Sequence, residues 1–144
     1  MRQRGFTLLE VIAVLVIGAI IYSLLLSLPF GRASSGDLKA AARTLASGLR
    51  QAQTTAITSR KDAVMTVDVE TREFHVGNSE PRHVSDRVDL KLYTAQSEVV
   101  NERLGSIRFY PDGSSTGGRI TVSSGERKYL VDVDWITGRV AINE

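Results

Sequence analysis

The sequence predicts an α+β fold in which one long N-terminal helix, apolar in its first half and amphipathic in its second, packs on a small antiparallel β-sheet. Three observations predict it. The eighteen residues 11–28 carry no charge. Apolar residues Leu38, Ala42, Leu45, Leu49, Ala52 and Ala56 follow one another in steps of four, three, four, three and four, the spacing of a single helix face. From Ala63 onward, short alternating segments are separated by Gly, Pro, Asp and Ser clusters, the pattern of strands and turns.

At about 1.5 Å rise per residue, a helix over residues 11–28 covers about 27 Å, close to the thickness of a hydrocarbon core. Residues 6–28 are therefore read as a membrane-spanning half-helix. Arg2 and Arg4 precede it, so the positive-inside rule places the N-terminus in the cytoplasm and the body of the chain beyond the membrane. Glu10 breaks the pattern: a lone acid at a helix centre costs roughly 2.5–3.5 kcal/mol on an insertion scale, and an intramembrane acid marks a functional site. A secretory signal peptide is the bland alternative, but its small-residue cleavage site follows the apolar run. Here Gly5 precedes the run, and no Ala-x-Ala site closes it. An ordinary uncleaved anchor needs no acid at that depth.

Pro29-Phe30-Gly31 predicts a bend, since proline removes a backbone donor and clashes with the preceding turn. Ser35 or Asp37 is positioned to cap the helix that follows. Residues 29–62 form its amphipathic half, with Arg43, Arg50 and Gln51 opposite the apolar stripe. Ala42, Ala52 and Ala56, with Gly48 nearby, allow a sheet to approach closely, and Ser59-Arg60-Lys61-Asp62 ends the helix. Residues 63–144 make up the β domain. Its first strand carries Met65, Val67 and Val69 on one face, and Glu70-Thr71-Arg72 turns it into Glu73-Phe74-His75-Val76. Residues 77–89 read as a loop containing Pro81, and Leu90-Lys91-Leu92-Tyr93 as a short strand. Ile107-Arg108-Phe109-Tyr110 leads through a Pro111-Asp112-Gly113 loop to Arg119-Ile120-Thr121-Val122. After the Ser124-Gly125-Glu126 turn come strand 129–133, the Thr137-Gly138 turn and Arg139-Val140-Ala141-Ile142.

Arg4-Gly5-Phe6-Thr7-Leu8-Leu9-Glu10-Val11 resembles, without a gap, the N-terminal motif of the type IV pilin and type II secretion pseudopilin superfamily. The resemblance implies a leader, residues 1–5, cleaved between Gly5 and Phe6 by a prepilin peptidase, N-methylation of Phe6, and retention of the helix. The C-terminal half is similar to the H-type minor pseudopilins of type II secretion, in which a Phe-x-Pro-Asp-Gly loop leads into a strand and a Thr-Gly-Arg-Val segment lies near the end. It implies a pilin-like fold, an inner-membrane anchor with a periplasmic domain, and a structural role in initiating or capping the fibre that helps export folded proteins. Other pseudopilins, joined through the N-terminal helix, and an inner-membrane assembly platform would be its partners. Glu10 would pair with a Phe6 amine, its own or a neighbour's, as a register device for assembly. The alternative in the same superfamily is a minor pilin of a type IV pilus, serving assembly or DNA uptake.

Charge argues against the DNA-binding alternative. Eighteen Lys and Arg less Arg2 and Arg4 leaves sixteen, against sixteen Asp and Glu. Phosphate binding needs clustered cations, and no Lys or Arg run exceeds two residues, as in Arg60-Lys61 and Arg127-Lys128, so no nucleic-acid partner is expected. With no cysteine there is neither a disulfide framework nor a thiolate metal site. Ser114 and Ser115 with His75 or His83 lack the nucleophile elbow and oriented base of a hydrolase, so no enzyme is expected. Asp112, Asp132 and Asp134 offer oxygen to calcium, but Asp132 and Asp134 alternate like the solvent face of a strand. Gly117-Gly118 reads as a flexible loop before an anion nest. The histidines have no spaced metal partner, and neither a metal nor a cofactor is expected.

Overall fold

The computed structural model divides into two compact units, Met1–Gly31 and Arg32–Glu144, of which residues 7–27 and 33–144 are described. Among its described residues the first unit contains one helix, α1, Leu8–Ser27. Its 20 residues span about 30 Å, and Glu10 is its one charged residue. The large apolar side chains described in it are all exposed, from 45% at Val11 to 79% at Leu8. Among the described residues no helix is long and apolar enough to cross a membrane. The described side chains of α1 end at Ser23, while its backbone continues helical to Ser27. Gly5 and Phe6, and the bend expected at Pro29, lie outside the described residues.

The second unit begins with α2, Ser35–Ser59. Its cap is Ser34, one residue before the expected Ser35. The Ser34 hydroxyl accepts from the Asp37 N–H at 3.1 Å, and the Asp37 carboxylate accepts from the Ser34 N–H at 3.0 Å, a reciprocal capping box. Arg60 ends the helix in the left-handed region, at φ 53°. Leu38, Ala42, Leu45, Leu49, Ala52 and Ala56 are all fully buried. Ala41, Ala46 and Gly48 widen the buried stripe.

Eight strands follow: β1 Ala63–Asp68, β2 Glu73–Val76, β3 Arg82–His83, β4 Asp89–Thr94, β5 Leu104–Phe109, β6 Gly118–Ser124, β7 Arg127–Val133 and β8 Val140–Asn143. They form two antiparallel four-stranded sheets, in the orders β3-β2-β1-β5 and β4-β6-β7-β8, instead of the one small sheet expected. The first closes when β5 returns to the far side of β1, with Ala63 opposite Phe109 and Met65 opposite Ile107. In the second, Ile120 stands between Leu92 and Val131. Both sheets pack against α2, and their inward residues complete one core around its stripe.

One local reading is corrected. The stretch 77–89 contains β3, held by pairing with β2, and the buried Val88. Arg72 secures this stretch, donating from Nε to the Val88 carbonyl at 2.7 Å. Between β4 and β5, a short 3-10 turn at Gln96–Glu98 buries Glu98, where the sequence gives no sign of order.

Candidate functional site

The N-terminal motif starts α1 through local hydrogen bonds. Thr7 lies just before the helix, and its hydroxyl accepts from the Glu10 N–H at 3.3 Å, while its carbonyl receives the N–H groups of Glu10 and Val11. Thr7 and Glu10 thus occupy the Thr-x-x-Glu spacing of a capping box. The Glu10 carboxylate sits in the first turn, where the positive end of the helix dipole favours an anion. Glu10 is exposed.

The two C-terminal motifs, 25 residues apart at Gly113 and Gly138, meet at Gln53. From a half-buried position on α2, Gln53 Nε2 donates to the carbonyls of Gly113 and Thr137, each at 3.1 Å. Gly138 adopts φ +62°, and a Cβ there would collide with the Gly113 carbonyl and the Gln53 amide. Only glycine allows this approach. Each loop is also tied internally by an aspartate. Asp134 Oδ1 accepts from the N–H of Thr137 at 2.8 Å and of Ile136 at 3.1 Å. The Thr137 backbone and hydroxyl bonds hold its carboxyl below the ordinary range. Asp112 is lowered in the same way, first by the Ser114 hydroxyl and then by the Ser114 N–H. Asp134 is therefore a turn-stabilising residue beyond the end of β7, a correction to its reading as a strand-face aspartate. Gln53 gave no signal in the sequence, because a polar residue on the outer helix face looks solvated.

Glu98 forms a second joint. It is 7% exposed, and its carboxylate accepts from Ser106 Oγ at 2.9 Å and from Arg108 Nε at 2.9 Å. The Glu98 hydrogen bond raises the Arg108 guanidinium against the opposing effect of burial.

The other candidates are not brought into one site. Ser115 is buried, donating to the Arg108 carbonyl and accepting from the Gly117 N–H. Ser114 is taken up by Asp112. His75 lies in β2 opposite Thr66, and His83 contacts Asp86 at 3.1 Å. No hydrogen bond joins either histidine to either serine among the described residues. Asp132 pairs with Arg119 and accepts from Asn143. Among the described residues no three His, Asp or Glu side chains are placed to hold a metal ion.

Comparison with known proteins decides among these features. The family model described as type II transport protein GspH matches residues 41–138. The chain belongs to the GspH family. That match runs from the first turns of α2 to Gly138, so it takes in both loops joined by Gln53. A second model, the prokaryotic N-terminal methylation motif, matches residues 1–26, including Gly5, Phe6 and Glu10. The chain is 28% identical over 139 residues to the type II secretion system protein H of Xanthomonas campestris pv. campestris, covering 96% of this chain and 82% of that one. Solved structures share the fold. The minor pseudopilin EpsH from the type 2 secretion system of Vibrio cholerae matches with TM-score 0.59 and 14% identity, covering 74% of this chain and 96% of that one. The type IV minor pilin FimU of Pseudomonas aeruginosa matches with TM-score 0.59 and 13% identity, covering 76% and 90%. Equal likeness to a pseudopilin and a pilin shows the pilin-like α+β fold. It is the GspH match that favours secretion.

Proposed function

We infer that the chain works as a structural subunit: membership in the GspH family makes it a type II secretion minor pseudopilin, and Glu10 is its assembly residue. The observation that carries the reading is the pairing of a GspH-type domain with an apolar helix whose one charge lies in its first turn. Leader cleavage after Gly5 by a prepilin peptidase would leave an N-methylated Phe6 amine four residues before Glu10. That cation, from the same or a neighbouring chain, is the chemical complement of a carboxylate removed from water. Residues 6–28 lie in the inner membrane, residues 63–144 in the periplasm, and α1 meets other pseudopilins at the assembly platform. A type IV pilus role remains the second reading only through the likeness to FimU.

Glu10→Leu and Glu10→Gln test the assembly role in cells of the native host. Glutamine keeps a polar group at the third helical position, so it separates loss of charge from loss of a helix-start residue. Both variants are expected to be processed to a chain beginning at Phe6, checked by intact mass. Both should lose cross-links from α1 to other pseudopilins and release less exoprotein. Parental cross-linking and secretion in both would remove the assembly role from Glu10.

A further inference from the structure

We propose that the groove lined by Tyr93 and Trp135 is a docking site for an uncharged, proline-rich segment of another protein, bound in the extended left-handed helix that proline favours. The site lies on the folded domain and does not depend on the role given to Glu10. Tyr93, on β4, is 79% exposed, and Trp135, just beyond the end of β7, is 66% exposed. Both line one groove of about 610 Å³.

The two rings are displayed from fixed backbone. Tyr93 stands in β4, paired with Arg119 of β6. The Trp135 carbonyl accepts from the Ser115 N–H at 2.9 Å, and the turn that carries Trp135 is closed by the Gly138 N–H, which donates to the Asp134 carbonyl at 2.9 Å. Gly117 and Gly118 line the groove as well and connect the two aromatic residues. A Cβ at Gly117 would lie 3.0 Å from the Trp135 Cβ, and one at Gly118 would lie 2.9 Å from the Tyr93 carbonyl. The glycine pair thus keeps open a space that side chains would crowd. Aromatic anchors held on an ordered backbone lose little freedom when a partner binds.

Charge and hydrogen bonding select the occupant. Apart from Tyr93, no ionisable side chain lines the groove. The charges around it are matched: Arg119 pairs with Asp132, and Glu98 is turned to Ser106 and Arg108. Lys91 and Glu102, of opposite sign, line the neighbouring groove with Arg103, which Asp68 and Glu70 hold. A neutral site favours neither a basic nor an acidic partner. The Trp135 indole N–H can only donate, and among the described residues no hydrogen bond engages it or the Tyr93 hydroxyl. The complement of two aromatic rings with open donors is a chain of apolar rings that offers carbonyl acceptors and no backbone N–H. A proline-rich segment is such a chain, already extended before it binds, and aromatic-lined grooves are its usual receptors. A second copy of this chain does not supply it, because Pro29, Pro81 and Pro111 are isolated in the sequence.

Trp135 is the sole tryptophan of the chain, so its fluorescence reports on the groove directly. The probe is a capped decaproline peptide, titrated into the full chain in detergent micelles. It should shift the emission to the blue, with the same affinity at low and high salt. In calorimetric titrations, Tyr93→Phe and Trp135→Phe each remove a donor and keep a ring, and should weaken binding about fivefold. Trp135→Ala, with its fold checked by circular dichroism, should abolish it. A capped glycine-serine peptide of the same length and the neutral sugar maltohexaose should not bind. The proposal is overturned if decaproline does not bind, if Trp135→Ala binds like the parent, if either control binds as well as decaproline, or if affinity falls steeply with salt. It also fails if a spin-labelled detergent quenches Trp135 before any peptide is added, which would make a lipid surface the occupant.

Discussion

A carboxylate left only 7% exposed, as at Glu98, has lost most of its water, and the hydrogen bonds from Ser106 and Arg108 take its place. Arg108 also lies 3.8 Å from Asp62, and its side chain is 34% exposed, so removal of Glu98 leaves a cation that water and Asp62 partly compensate. Glu98→Ala is expected to lower stability by about 2 kcal/mol, below the full cost of orphaning a buried ion, and Glu98→Gln by about 1 kcal/mol, since an amide retains some of the bonding. Urea unfolding of the domain checks both, and equal loss in the two variants would show that charge is irrelevant there. Nothing in Ala95-Gln96-Ser97-Glu98 announces burial, because four polar or small residues after a strand read as a solvated loop. Gln53 was hidden for the same reason: its two carbonyl partners come from loops 60 and 84 positions away. The role of Asp134 was misread because alternation with Asp132 continues one residue past the end of β7.

Periodic elements were legible, and α2 shows why. Six stripe positions named from their spacing are fully buried, since a helix that packs along one face must repeat apolar residues at its own period. The cap slipped by one residue because Ser34 and Ser35 are chemically identical in the sequence and only backbone geometry separates them. The strand β3 was missed because two exposed residues carry no alternation. Gly48 was read correctly as a point of close approach: a Cβ there would lie 2.5 Å from the Phe74 ring and 3.2 Å from the Met65 sulfur. Gly36, in the first turn of the same helix, has only the Ser34 hydroxyl oxygen nearby, at 3.4 Å. Alanine gains up to about 1 kcal/mol of helix propensity at either position, but overpacking typically costs about 1–3 kcal/mol. Gly48→Ala should therefore lower the thermal midpoint while Gly36→Ala leaves it unchanged or raises it. A rise in both would mean that Phe74 moves aside freely and that the close approach is not needed.

At the scale of the whole molecule, fold class was legible and sheet number was not. Turn residues reveal where strands end, whereas the partition into two sheets depends on β5 reaching back across β2, β3 and β4 to pair with β1, a long-range choice without a local signal. The resulting domain has its own core, helix caps and edges. Its first described residue is anchored by the Ala33 N–H bond to the Ser124 hydroxyl at 3.0 Å, and Arg127 bonds the Ser35 hydroxyl from the same turn. A fragment of residues 33–144 should therefore fold without α1 and unfold cooperatively on heating. Removing Arg2, Arg4 and Arg32 from eighteen cations, and Glu10 from sixteen anions, leaves fifteen of each. Such a neutral surface, with Arg103, Arg108 and Arg119 already paired to carboxylates, releases few counterions on meeting a phosphate backbone. The fragment should bind duplex DNA weakly, and the residual binding should vanish as salt is raised. Calorimetry and DNA titration in a salt series check these outcomes. A fragment that melts without a cooperative transition would show that the domain needs its helix, and tight DNA binding at physiological salt would move the chain toward the DNA-uptake pilins.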